Sequence, residues 1–468
     1  MDFPLTFTTL RPQHCDPLFL LRKLGIKRDY CALLESADRK GNNDLSFVCL
    51  GARDVLTVQN GEVRGSRYIP DGKVHDVLSV FQGLIGSGTN DTRLRMGYVG
   101  FLSYEAARQF EFIELTPDPT IPDALFILPE VILKIDHAAQ EITMITHEDS
   151  KEDLYEIERI ILSSPFFDDR KWKDGVAEPS VLMPTLEEIE PYRQTSREDF
   201  CASVQNIQEE ILSGEAFQVV LSQELRMPST VPPDRVYEEL RRINPSPYMY
   251  YFQTPAFIIV GASPETLVRV EGRQILYRPI AGTRKRTGDA VKDEASQEDL
   301  LHDEKELCEH QMLVDLGRND VGRVAEIGSV KVRDPVHIEQ YAHVYHLVSE
   351  IVGQVRSDKT SLDVVRSVFP AGTLTGAPKV RAMEIIRRLE RSPRGVYGGA
   401  FGYIDLSGNL DFAITIRTML FQNDSISLRV GAGIVKDSVP EHEDDECLHK
   451  ARSCLAALQL ANTSHSAS

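Results

Sequence analysis

The run Asp303 to Arg323, DEKELCEHQMLVDLGRNDVGR, sets the hardest condition on any fold this chain adopts, because it places a carboxylate where a helix should be greasy. With helical periodicity through Leu316, the residues Met312, Leu313 and Leu316 flank Glu309 on one face. An ionised side chain on that face has to be paired, protonated or bound to a metal. A salt bridge to a lysine or arginine would satisfy it. A second acidic set near the C-terminus offers another answer. In PEHEDDECLHKARSCLAAL, Cys447, Ala451, Cys454 and Leu458 recur at helical spacing, which lays Glu443, Glu446 and Lys450 along the neighbouring strip. Acid in a first turn also suits the helix dipole and needs no ligand. Taken with Glu309, however, two carboxylate sources from distant parts of the chain are what a hard cation such as Mg2+ uses, with water and an anionic substrate completing its shell.

An anionic substrate must then be met by local positive charge, because the chain as a whole carries a net charge of -19. The same charge, with no basic tract to offset it, excludes a nucleic-acid or anionic-membrane partner. The seven cysteines show no CxxC spacing, so neither a zinc site nor an iron-sulfur cluster is indicated and reduced thiols in the cytoplasm are expected. The start, MDFPLTFTTLRP, lacks a signal-peptide pattern, and no run reaches the ~18 apolar residues of a membrane span.

Residues 1 to about 165 alternate strand-like runs (46–50, 142–145) with helical ones such as 76–84. From 166 to 193 the text is rich in Asp, Lys, Pro and Glu without apolar periodicity and reads as a linker or crossover. A new unit opens at Ser196, where SRED supplies an N-cap, and Phe200, Val204, Ile207 and Ile211 carry the helix to the Ser213-Gly214 stop. Strands are expected at 216–223, 257–261 and 425–430, and helices at 295–316, 361–368, 378–390 and 443–460. This is not a regular βαβ alternation. It predicts an α+β class, a large sandwich of antiparallel sheets with helices packed outside and the active site in a cleft. The expected division is 1–190, then 195–460, then a disordered tail over 461–468.

Several short motifs bear on chemistry. GTLTGAPK, Gly372 to Lys379, fails the phosphate-loop spacing, but its small-residue turn into a helix could hold a carboxylate on free backbone N–H groups. Gly431-Ala432-Gly433 follows a strand and would let backbone amides approach a ligand closely. Arg278-Pro-Ile-Ala-Gly-Thr283 ends in another backbone-plus-hydroxyl site. Arg417 sits in an otherwise apolar strand, DFAITIRTM, so its charge is paired in the fold or aimed at an anion. His343 and His346, three residues apart, are spaced for a metal pair but lack the further ligands of a structural zinc site; one acid/base histidine beside a structural one fits better, and either one taken alone reads first as a satisfied core histidine.

The ordered set SPETLV (263–268), RPIAGTR (278–284), EHQMLVDLGRND (309–320), YAHVYHLVS (341–349), FPAGTLTGAPKVRAM (369–383), YGGAFGY (397–403), IRT (416–418) and GAGIVKDSVPEHEDDE (431–446) resembles the chorismate-utilising enzymes. Within them it is most similar to the anthranilate synthase component I family. The resemblance spans about residues 195 to 460 and reaches the N-terminal region through LLES, Leu33 to Ser36. It implies Mg2+ bound by Glu309 and Glu446, with Glu443 near, holding the ring carboxylate of chorismate. It implies substrate binding by Gly282, Thr283, Tyr397, Arg417, Gly431, Ala432 and Gly433. The implied catalytic group is Glu265 as general acid for the 4-hydroxyl, His346 for pyruvate elimination, and Gln218 and Thr373.

Relatives differ in the nucleophile. Water-adding isochorismate and salicylate synthases of this family carry a lysine base at the position of Gln218, and aminodeoxychorismate synthases a lysine nucleophile at that of Ala281; this chain has neither. The resemblance therefore implies ammonia addition to aminodeoxyisochorismate and then loss of pyruvate to anthranilate, the first step of tryptophan biosynthesis. The alternatives are the other family outcomes, a catalytically silent tryptophan-binding subunit, or a hydrolase using Glu309 and Glu446 as acid and base. No cysteine stands in the GxCxG setting of a glutamine amidotransferase, so ammonia would come from a separate subunit in a hetero-oligomer. NPSPYMYY, Asn244 to Tyr251, with LLES resembles a tryptophan feedback site in which Ser36, Pro247, Tyr248 and Met249 make the contacts. Lys285 stands where the family usually has proline.

Overall fold

Strand alternation explains the architecture. In the strand Cys31–Glu35, Cys31 and Leu33 point to one core while Ala32 points to another. Its neighbours repeat the pattern: Val48 and Leu50 against Phe47 and Cys49, and Met249 and Tyr251 against Tyr250 and Phe252. Side chains that alternate at period two and are apolar on both faces belong to a sheet covered on both sides. The computed structural model, which describes residues 5–12, 15–36, 45–85, 97–150, 152–164, 182–341 and 344–466, has two such sheets.

Among the described residues the first sheet holds 11 strands and the second 12. Every pairing within them is antiparallel. The sheets meet across a core of Val99, Phe101, Ile132, Tyr250, Phe252, Ile259 and Phe401, where Tyr250 stacks on Phe401 with ring centroids 4.3 Å apart. Helices cover the outer faces. Pro440–Ser466, Arg197–Leu212 and Pro233–Ile243 lie on the first sheet; Glu304–Gly322 and Ser361–Val368 lie on the second. This is the expected α+β sandwich of antiparallel sheets with helices outside.

Both sheets draw on both ends of the chain. Cys31–Glu35 pairs with Tyr248–Gln253, and Tyr98–Leu102 pairs with Ala400–Ile404. The expected division near residue 190 thus does not separate one sheet from another.

Ser196 caps Arg197–Leu212 by accepting from the Asp199 N–H, as SRED predicts, and Ser361–Val368 has the expected bounds. Other elements differ. The helix expected over 76–84 is only a 3-10 turn at Ser79–Phe81, because the Asp76 carboxylate takes the Leu78 and Ser79 N–H groups at 2.8 and 2.9 Å and pairs with Arg366. The single helix expected over 295–316 is two, Ala290–His302 and Glu304–Gly322, broken where Asp303 turns out to cap Lys305 and Glu306. Within the expected linker, Thr185 opens a short helix at Leu186–Ile189 through a capping box; residues 166–181 lie outside the described residues. The expected tail is helical as far as Ser466.

Candidate active site

The strand Ser425–Ile434 is the backbone of the site. Its alternation turns Ala432 into the apolar core and leaves Gly431 and Gly433 on the opposite face. A Cβ on Gly431 would meet the Tyr397 hydroxyl at 2.5 Å and the Leu221 carbonyl at 2.8 Å; one on Gly433 would meet the Gln218 amide nitrogen at 2.6 Å. Both positions therefore require glycine for close approach, and Ala432 can offer a ligand only its main chain.

Gln218 begins the neighbouring strand Gln218–Pro228 and donates from Nε2 to Glu309 Oε1 at 2.9 Å. Glu309 thus meets a carboxamide, and among the described residues it has no lysine or arginine partner. Its neighbour Glu306 is held above the usual carboxylate range by burial and by the charge of Glu309. At the start of the C-terminal helix, Glu443 is likewise raised by burial and by Glu446. Glu446 pairs with Lys450 at 2.8 Å, and the Lys450 ammonium also donates to the Gly431 carbonyl at 2.9 Å. Among the described residues no three His, Cys, Asp or Glu side chains group closely enough to hold a metal ion by themselves.

A second group gathers around Glu265. Thr373, in the short helix Gly372–Thr375, donates its hydroxyl to Glu265 Oε1 at 2.8 Å. Glu265 is only 8% exposed, and burial pushes its carboxyl up to about 7. His346 packs its ring 5.1 Å from that of Tyr341, and its Nδ1 lies 2.9 Å from the Gly282 carbonyl and 3.2 Å from the Thr283 hydroxyl. A carbonyl can only accept, so Nδ1 carries the hydrogen and Nε2 the lone pair. Burial pushes this imidazole down to about 4, with the charges of Arg417 and Lys450 adding to the effect. Gly282 has φ 65°, and a side chain there would crowd Leu300, Glu306 and Leu347.

Arg417 joins the groups. It lies between the strands Leu410–Ile414 and Thr418–Gln422 rather than within one, with a left-handed φ of 49°. Its charge acts on both Glu265 and His346, and burial lowers its own pKa. Among the described residues nothing hydrogen-bonds or ion-pairs with its half-buried guanidinium, which leaves its donors open to an anion. The assembled residues run from Glu446, whose side chain is 51% exposed, to the buried Glu265 and His346. They offer a carboxylic acid, a neutral imidazole, a free guanidinium and a set of carboxylates. That suits proton transfer on a polyanion.

One expectation changes. The turn in GTLTGAPK is not an open anion cradle: Gly376 and Ala377 pair with Val219 and Gln218, and Lys379 is buried in an ion pair with Asp320 at 2.7 Å. His343 lies outside the described residues. Ser36, Pro247, Tyr248 and Met249 gather elsewhere, in a cavity of about 120 Å³ also lined by Leu34, Phe47 and Phe401. The Tyr248 hydroxyl bridges Asp411 at 2.8 Å and Thr266 at 2.9 Å, and Thr266 adjoins Glu265. Lys450, which helical spacing alone set beside Glu443 and Glu446, belongs to the site; Arg394, which no motif singles out, lies directly behind it.

Comparison with known proteins places these features in a family. The model of the chorismate binding enzymes matches residues 29–456. The chain is 43% identical over 486 residues to an anthranilate synthase component 1 from Pseudomonas aeruginosa, covering 98% of this chain and 96% of that one. It is 41% identical over 449 residues to one from Acetivibrio thermocellus, covering 92% and 90%. The crystal structure of anthranilate synthase component I from Streptococcus pneumoniae superposes with a TM-score of 0.75 at 32% identity, covering 88% of this chain and 92% of that one. A menaquinone-specific isochorismate synthase from Escherichia coli shares the fold, with a TM-score of 0.72 at 18% identity over 98% and 96% of the chains.

Proposed function

The chain belongs to the chorismate-binding enzymes, and from that premise we propose that it adds ammonia to chorismate and releases pyruvate to form anthranilate, the first step of tryptophan biosynthesis. The observation that carries this reading is the contact of Gln218 with Glu309 at 2.9 Å. A lysine there could strip a proton from water. A carboxamide cannot, and ammonia already has its lone pair. Position 281 is alanine, so no enzyme amine competes for the ring.

Glu265, protonated up to about pH 7, gives its proton to the 4-hydroxyl as nitrogen bonds to C2, the ring double bonds shift and the C4–O bond breaks, releasing water; the ring-bound ammonium then gives one proton up, which restores the acid. Thr373 steadies that carboxyl through its hydroxyl. His346 is neutral at physiological pH, and with Nδ1–H committed to Gly282 its Nε2 takes the C2 proton. The C3–O bond then breaks, the ring becomes aromatic, and the enolpyruvyl group leaves as pyruvate. The Arg417 guanidinium, the Thr283 hydroxyl, the Tyr397 hydroxyl and the main chain of Gly282, Gly431, Ala432 and Gly433 hold the substrate.

The crowded carboxylates fit Mg2+. Among the described residues Glu309 lacks a cationic partner, and Glu443 is raised by burial and Glu446, while Mg2+ needs only one or two protein carboxylates beside water and substrate. Held by Glu309 and Glu446 with Glu443 alongside, the ion would neutralise the ring carboxylate that a chain of charge -19 otherwise repels. Ammonia is supplied by a separate glutamine amidotransferase subunit in a cytoplasmic hetero-oligomer, in keeping with seven free cysteines none of which has an amidotransferase setting. No helix among the described residues is long and apolar enough to cross a membrane. The cavity of Ser36, Pro247, Tyr248 and Met249, with aromatic walls and charged Arg269, Arg278 and Asp411, suits tryptophan as a feedback inhibitor.

The test is to mix the purified chain with chorismate, Mg2+ and an ammonium salt at mildly alkaline pH and follow anthranilate fluorescence, with and without tryptophan. Anthranilate formed only with ammonium, and less of it with tryptophan, is the expected result. Chorismate consumed to another product would overturn the choice of nucleophile, and no consumption at all would overturn the reading.

A further inference from the structure

We propose that Arg394, paired with Glu390, is a positioning residue that fixes the substrate-binding floor from behind; this rests on the reading just given for that floor. The Arg394 side chain is 1% exposed and Glu390 4%. Its Nε and Nη2 donate to the two Glu390 oxygens at 2.9 and 2.6 Å, a two-pronged pairing that fixes the plane of the guanidinium. The remaining donors reach main-chain carbonyls of two other elements: Nη1 to Leu374 at 2.6 Å and Nη2 to Val220 at 2.8 Å. The guanidinium also lies 4.6 Å from the Tyr104 ring and 5.6 Å from the Tyr397 ring.

Apart from that with the Tyr104 ring, each of these contacts reaches a residue of the site or a close neighbour of one. Leu374 follows Thr373, the partner of Glu265. Val220 lies two residues beyond Gln218 and is registered opposite Gly433. Glu390 accepts the Ser222 N–H and hydroxyl, both at 2.8 Å, and Ser222 is registered opposite Gly431. Tyr397 is the ring whose hydroxyl crowds Gly431. One buried cation therefore sets the spacing of Thr373, Tyr397 and the glycine strand at once. Stability alone would not require that convergence, since a buried pair of this kind is often no more stabilising than an apolar replacement. A lysine could keep the charge but not the planar fork or the ring contacts.

The test is Arg394→Lys, with Arg366→Lys as a matched control, since Arg366 also pairs with a carboxylate, that of Asp76, but from the helix Ser361–Val368 on the outer face of the second sheet. Steady-state KM and kcat for chorismate are measured with thermal midpoints for each. Misplacing substrate groups by ~1 Å costs on the order of 100-fold, so we expect Arg394→Lys to lower kcat/KM about 100-fold with a raised KM, while Arg366→Lys lowers the midpoint without moving KM. If Arg394→Lys fails to fold, Arg394→Gln, which leaves Glu390 its ion pair with Arg429 at 3.3 Å, is expected to show the same raised KM. Wild-type KM and kcat in the folded variant, or an equal rise of KM in Arg366→Lys, would overturn the inference. A wild-type chain inactive on chorismate would overturn the proposed function and this inference with it.

Discussion

Burial drives Glu265 and His346 the same way, toward their uncharged forms, and so leaves one an acid and the other a base near neutral pH. For Glu265 the native value of about 7 lies above the unfolded 4.5. Between those limits the native state keeps a proton that the unfolded chain has lost, so stability falls as pH rises through the window. His346, depressed from 6.5 to about 4, acts in the opposite sense and cancels when wild type is compared with a Glu265 variant. Glu265→Gln should therefore gain about 3 kcal/mol relative to wild type between pH 4.5 and 7 and hold that gain above it, as read from denaturant midpoints across pH. The same variant should lose ~100-fold or more of its turnover, measured as anthranilate release; undiminished turnover would remove Glu265 as the acid. At this scale the sequence was legible only in part. Helical spacing sufficed to mark Glu309 as needing a partner, but that partner, Gln218, lies on a distant strand. Nothing in SPETLV itself marks Glu265, whose role is legible only through the family resemblance. Arg417 reads as a strand residue, and its left-handed turn depends on how two strands end.

Elements carrying strong periodicity kept their expected form, and local side-chain chemistry decided the exceptions. Asp303 and Asp76 look like ordinary helix residues in a window of apolar spacing, yet each takes up backbone N–H groups and ends or prevents the helix. Strands such as Lys331–Gln340, whose residues are all exposed or half-buried, have too little apolar alternation to be recognised. The turn in GTLTGAPK gave up a ligand role for a structural one. Lys379, at the head of the helix Lys379–Leu389, reaches Asp320 near the end of Glu304–Gly322 and ties the two helices together inside the protein. Lys379→Met strands that carboxylate, and should cost roughly 3–5 kcal/mol in unfolding free energy. Adding Asp320→Asn should recover most of the loss. A double variant as unstable as the single one would mean that packing, not charge, holds the helices.

Across the whole molecule, the cavity around Met249 and the site around Glu265 share a wall. Tyr248 lines the cavity, and its hydroxyl holds Thr266, whose neighbour is the buried acid. A ligand that moved Tyr248 would disturb Glu265 through Thr266, a physical route for the feedback proposed above. Met249→Ala should raise the tryptophan concentration for half-inhibition at least about tenfold, as titrated in the anthranilate assay; unchanged sensitivity would put the regulatory site elsewhere. Composition and motif order announced an antiparallel sandwich, but could not reveal which distant strands are neighbours. Those neighbours are remote: Cys31–Glu35 beside Tyr248–Gln253, Tyr98–Leu102 beside Ala400–Ile404. A chain made from its N-terminus on the ribosome must therefore hold its early strands with open edges until most of the message has been read. Each sheet closes only near the end of synthesis, so this protein should depend on chaperones during translation more than its final stability would suggest.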